Sequence, residues 1–168
     1  GKAMITLNGK NADYEFNSPC AWDNIPYLPL PEKVSLIYYG TLAQRSEGSR
    51  ETLKRVLREV SSDHRFFDVN IRKHFYSDEI IREGVEAATI LKLNDEEEEI
   101  VLSSLGIKER GLSGLEKLYR EYSLDLILLT CGKDGTMCYK DKWYRVPCAS
   151  VPVVDTVGAG DSLSAGFL

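Results

Sequence analysis

Two glycines two positions apart, followed at once by an acidic residue, form the feature best suited to chemistry: Asp155-Thr-Val-Gly158-Ala-Gly160-Asp161. The apolar pair Val153-Val154 enters this turn as a short strand, and the pattern predicts a helix from Ala159 onward. Such a turn presents consecutive backbone N–H groups that no helical carbonyl can take. It can therefore receive an anion, and its small side chains let phosphate oxygens come close. A carboxylate in that position does nothing for phosphate binding, but it suits a general base. Phosphoryl transfer to an alcohol needs the hydroxyl proton accepted as the new bond forms. On this reading Asp161 is the base that meets the acceptor hydroxyl, and the amides of Gly158, Ala159 and Gly160 are the anion hole. The competing reading is structural: the glycines shape a tight turn and Asp161 caps the helix, for about 1 kcal/mol.

Three further groups end apolar strands. Asn94 and Glu97 have the spacing of a capping box, in which each side chain bonds the other's backbone N–H. Thr130, Gly132 and Gly135 read as a strand exit and turn. Asp68, Asn70 and Arg72 end another strand, at the edge where open α/β sheets place their ligands. Their bland alternative is a surface salt bridge between Asp68 and Arg72, worth ~0–1 kcal/mol.

These residues need a frame. Ala3–Leu7 and Asp13–Phe16 read as strands of a hairpin around Asn8-Gly9-Lys10-Asn11, since Asn-Gly is a strong hairpin signal. Pro19 to Pro31 holds four of the six prolines and is expected to be an irregular connection with at most one helical turn. From Val34 onward, continuous apolar runs alternate with amphipathic ones, as a parallel sheet covered on both faces requires. The predicted strands are Val34–Tyr39, Arg65–Val69, Thr89–Leu93 and Leu126–Thr130. The predicted helices are Ser49–Val60, Ser77–Ala87, Asp95–Leu105 and Ser113–Tyr122. Thr136–Tyr139 and Lys142–Val146 form a second hairpin around Lys140-Asp141.

Composition narrows the class. The chain has 168 residues, 43% of them hydrophobic, 28% charged, and a net charge of −5. That balance gives no general attraction for polyanions, so no nucleic-acid partner is expected. No apolar stretch approaches the ~20 residues of a membrane span and no secretory signal opens the chain, so the expected location is the cytoplasm, without membrane association. Cys20, Cys131, Cys138 and Cys148 show no C-x-x-C pair, which fits free thiols in a reducing compartment. Gly1-Lys2 stands directly before a strand, and Phe167-Leu168 stops inside an apolar helical pattern, so the sequence is expected to be part of a longer protein.

Asp155-Thr-Val-Gly-Ala-Gly-Asp161 resembles the signature of the PfkB/ribokinase family of carbohydrate kinases, and it is neither a Walker A loop nor a G-x-G-x-x-G fingerprint. Three upstream segments, in the family's order, strengthen the resemblance. Lys92-Leu-Asn94-Asp-Glu-Glu97 is similar to its N-x-x-E segment. Thr130-Cys-Gly132-Lys-Asp-Gly135 is similar to its nucleotide-contacting T-x-G-x-x-G turn, and Asp68-Val-Asn70-Ile-Arg72 to the D-x-N-x-R segment of fructokinase-like members. The resemblance spans essentially the whole chain. It implies a ribokinase-like α/β three-layer sandwich, present here in part, with residues 34–168 as the core and a hairpin within 1–17 contributing to a lid over the sugar.

The resemblance also implies roles. Asn94 would lie near the ATP phosphates, and Glu97 would help hold Mg²⁺ through water. Thr130, Gly132 and Gly135 would border the nucleotide. Arg72 would stabilise charge at the transferred phosphate or the sugar, with Asn70 orienting it. Asp155 would lie near a monovalent cation such as K⁺. The implied activity is ATP-dependent phosphorylation of a sugar primary hydroxyl, with fructose the first candidate, ribose, 2-keto-3-deoxygluconate and nucleosides as alternatives, and a homodimer formed through the lid. Two other classes stay open: an inactive nucleotide-binding or interaction domain, and a dinucleotide-binding oxidoreductase, against which stands the lack of a G-x-G-x-x-G in an early βα turn.

Overall fold

In the computed structural model, which describes residues 2–8, 11–151 and 155–168, the chain divides into two compact units. One comprises Gly1–Cys20 with Ala149–Leu168, and the other Ala21–Cys148.

The first unit holds strands β1 (Ala3–Asn8) and β2 (Asn11–Phe16), an antiparallel ribbon that pairs Ile5 with Tyr14 and Ala3 with Phe16. It also holds helix α5 (Ala159–Phe167), which the glycine turn predicts. The expected short strand Val153-Val154 lies outside the described residues.

The second unit is a mixed sheet with helices. Strands β3 (Lys33–Gly40), β4 (Ser61–Asp68), β5 (Ile90–Asn94) and β6 (Leu126–Thr130) run parallel in that spatial order. Strands β7 (Thr136–Tyr139) and β8 (Trp143–Val146) continue the sheet as an antiparallel hairpin. The helices are α1 (Glu47–Glu59), α2 (Asp78–Ala87), α3 (Glu98–Ser104) and α4 (Gly111–Glu121).

Because the parallel strands follow one another in a single direction, right-handed crossovers put every connecting helix on one face. That face buries Phe67, Leu91, Leu93, Ile127 and Leu129 against Val85, Val101, Leu102, Leu115 and Leu118. The alternate strand residues Phe66, Ile90 and Leu128 are also buried. Both faces of the sheet are thus apolar, as the continuous hydrophobic runs require.

Boundaries differ from the periodicity where backbone bonding outweighs polarity. Strand β4 begins four residues before Arg65, because its polar start pairs in parallel register with β3, Lys33 opposite Ser61, and Ser61 donates to the Glu32 carbonyl at 3.0 Å. Helix α3 starts after Glu97 rather than at Asp95, since residues 95–97 form the turn by which Glu97 N–H reaches the Asn94 side chain at 2.8 Å. The proline-rich connection contains one 3₁₀ turn, Ala21–Asp23. Among the described residues, no helix is long and apolar enough to cross a membrane.

Candidate active site

Three of the four motif segments lie along the C-terminal edge of the parallel strands. Registered pairing sets Asp68 beside Lys92 and Asn94 beside Thr130, so the segments that follow β4, β5 and β6 emerge next to one another. Asn94 Oδ1 accepts the Glu97 N–H at 2.8 Å, and Glu97 Oε2 accepts the Asn94 N–H at 2.9 Å, which completes the capping box. The other oxygen, Oε1, accepts the Ile71 N–H at 2.7 Å. Glu97 therefore ties the segment after β5 to the segment after β4.

Asn70 takes a left-handed conformation, φ 42°, which asparagine tolerates better than most side chains. Thr41 Oγ1 donates to the Val69 carbonyl at 2.8 Å, steadying the same stretch from β3. Arg72 follows, half-buried. In the turn after β6, the Cys131 N–H bonds the Gly135 carbonyl at 2.9 Å. Gly135 has φ 94°, and a Cβ there would meet the Val146 carbonyl oxygen at 2.2 Å, so no other residue fits.

The glycine turn belongs to the other unit. Gly158 is the left-handed residue before α5, φ 74°, and the first helical bond runs from the Ser162 N–H to its carbonyl at 2.8 Å. Asp161 stands exposed in the first helical turn. Of the three amides assigned to the anion hole, that of Ala159 donates to the Thr156 carbonyl at 3.2 Å. The amides of Gly160 and Asp161 have no carbonyl within the helix to bond. Asp155 Oδ1 accepts the Val157 N–H at 3.0 Å, which folds the approach to the turn.

The sequence matches the profile of the pfkB family carbohydrate kinases over residues 1–168. The chain belongs to that family. It is 33% identical over 108 residues to a fructokinase of Escherichia coli, covering 61% of this chain and 34% of that protein. It is 30% identical over 177 residues to a fructokinase of Rhizobium leguminosarum bv. trifolii, covering 99% of this chain and 53% of that protein. A crystal structure of Vibrio cholerae O395 fructokinase in fructose, ADP and calcium ion bound form superposes with a TM-score of 0.83 at 19% identity, over 98% of this chain and 56% of that one. The pfkB chain thus spans about half the length or less of these relatives.

Two residues that the motif segments contain, Asp68 and Lys92, are joined by an ion pair that the motifs do not reveal. Asp68 is 2% exposed, a buried carboxylate rather than a surface one. Its Oδ2 takes Lys92 Nζ at 2.7 Å and the Tyr38 hydroxyl at 2.7 Å. The available signal was Lys92 itself, a cation inside the apolar run Ile90-Leu-Lys-Leu93. A cleft of about 660 Å³ elsewhere in the same unit, between α1 and residues 74–77, is lined by Arg45, Arg50, His74 and Phe75 among others, with no motif residue in its wall.

The donors present fit a divalent cation held indirectly. Glu97 is a buried carboxylate whose two oxygens already carry backbone N–H groups, so it would reach an ion through water. That suits Mg²⁺, which keeps several waters and takes few carboxylates.

Burial is the main influence on the Glu97 carboxyl and pushes it above its ordinary value near 4.5, against the pull of the Asn94 and Ile71 amides. An acid raised in this way binds its proton more tightly folded than unfolded, so its contribution to stability declines as pH rises from about 4.5 through the raised value. Glu97→Gln is expected to cost about 1–3 kcal/mol at neutral pH, because its NH₂ must face one of two backbone donors. The gap from wild type should widen as pH falls toward 4.5. Chemical denaturation across pH checks this, and a narrowing gap would contradict it.

Proposed function

We propose that this chain carries phosphoryl-transfer machinery of an ATP-dependent sugar kinase, with fructose as its sugar. The observation that supports it most is the alignment of Asp68–Arg72, Asn94–Glu97 and Thr130–Gly135 along one sheet edge, in a chain that matches the family over its whole length. In the assembled enzyme Asp161 accepts the proton of the sugar's primary hydroxyl as that oxygen bonds the γ-phosphorus, and ADP departs. The amides of Gly158, Ala159 and Gly160 receive the charged phosphate oxygens, with Ala159 having to release Thr156 to take part. Arg72, oriented by Asn70, stabilises charge at the phosphate or the sugar. Asn94 serves the phosphates, and Thr130, Gly132 and Gly135 border the nucleotide.

Glu97 would hold Mg²⁺ through water, and the ion would neutralise charge on the phosphates. Asp155 keeps one carboxylate oxygen beyond its bond to Val157, and on this reading it faces a monovalent cation such as K⁺. The β1–β2 ribbon is assigned to the lid and to a homodimer contact. A two-stranded ribbon is marginal alone, and Met4 and Ile5 are exposed on it. A cytoplasmic location accords with this chemistry.

ATP consumption with fructose, ribose, 2-keto-3-deoxygluconate and a nucleoside, measured on this chain and on any longer form of the protein, tests the reading. Fructose is expected to give the highest kcat/KM. Turnover of none of them by any form would sink the kinase reading, and nucleotide binding without turnover would favour an inactive domain, which the fructokinase relatives do not support.

A further inference from the structure

A buried ion pair that no proposed catalytic role uses lies where β4 and β5 end. Lys92 and Asp68 are 6% and 2% exposed, and Nζ and Oδ2 are 2.7 Å apart. Gly40, Asp68 and Lys92 lie side by side across three strands, and a Cβ on Gly40 would stand 2.8 Å from the Asp68 carbonyl oxygen. The Tyr38 hydroxyl closes the cluster from β3 by bonding Asp68 Oδ2.

Such a pair is a poor way to add stability, since desolvation cancels most of the attraction and an apolar pair of similar volume packs as well. What it does offer is a fixed direction. Asp68 is the last residue of β4, and the chain then leaves the sheet through a stretch held at each step. The Val69 N–H bonds the Lys92 carbonyl at 2.9 Å, the Val69 carbonyl takes Thr41, Asn70 turns left-handed, and the Ile71 N–H reaches Glu97. The carboxylates of Asp68 and Glu97 flank this stretch, and Lys92 supplies a buried cation against them. Without it, the Asp68 carboxylate loses the bond that holds it against β5, and Val69–Ile71, which follows directly, is freed to shift.

We propose that Lys92 is a positioning residue: through Asp68 it fixes the exit of the chain from β4 and thereby the placement of Asn70 and Arg72. The catalytic consequence rests on the kinase reading of those two residues. The structural consequence does not.

The test compares Lys92→Met with the double variant Asp68→Leu, Lys92→Met, which removes both charges. If the pair positions the segment, the double variant recovers a melting temperature near wild type, yet its Ile71 amide exchanges about tenfold or more faster than in wild type, with the Leu91 amide unchanged. Its kcat should fall about 10–100-fold with sugar KM little altered, since a misplaced group costs rate more than binding. Native exchange at Ile71 together with native kcat in the double variant would overturn the proposal. A wild type that turns over no sugar would overturn the kinase reading, and Ile71 exchange would then decide this inference by itself. Should the double variant fail to fold, Tyr38→Phe removes one bond to Asp68 from a half-exposed side chain. Faster Ile71 exchange in it supports the proposal, and unchanged exchange overturns it.

Discussion

Asp161→Asn is expected to lower kcat for sugar phosphorylation by about 10²–10⁴-fold with nucleotide affinity close to wild type. Asparagine keeps the size and one acceptor oxygen of aspartate, so the acceptor hydroxyl can still be oriented, but its amide cannot take up the proton. The fold should hardly register the change. Asp161 is exposed in the first turn of α5, where a negative charge contributes about 0.3–1 kcal/mol through the helix dipole. A variant with an unchanged thermal transition and greatly reduced turnover would locate the loss in chemistry. Turnover within about tenfold of wild type would remove Asp161 from the role of base.

Arg45→Met is expected to destabilise the protein by about 3–5 kcal/mol, the cost of leaving a buried charge without its counterpart. Arg45 holds Asp23 with two bonds, Nε to Oδ1 at 2.6 Å and Nη2 to Oδ2 at 2.8 Å, and the side chains are only 6% and 9% exposed. Its guanidinium also lies 4.5 Å from the Phe75 ring centroid and 6.0 Å from that of Trp22. One side chain thus fastens the proline-rich connection to the segment after β4, where the Phe75 N–H bonds the Arg72 carbonyl at 3.0 Å. Replacing both charges, Asp23→Leu with Arg45→Met, should recover most of the loss. Urea denaturation checks both. A single-variant loss below about 1 kcal/mol would mean that water relieves Asp23 in place.

Much of this protein follows from spacing along the chain. Asn94 and Glu97 stand three residues apart, close enough to bond each other whatever surrounds them. Ser77 caps α2 through the Ile80 N–H at 3.2 Å for the same reason. The apolar runs that become β3, β5 and β6 and the left-handed glycine ahead of α5 are equally local, and so is the motif order that marks the family. Tertiary structure decided the rest. It put Lys92 against Asp68, 24 residues away in sequence, gave the second oxygen of Glu97 to Ile71, 26 residues away, and set Arg45 on Asp23, 22 residues away. The physical reason is that turns and caps close over a few residues, within reach of residue type and spacing. A buried ion pair depends on which strands become neighbours and in what register, and that is fixed only when the whole sheet buries its apolar faces together.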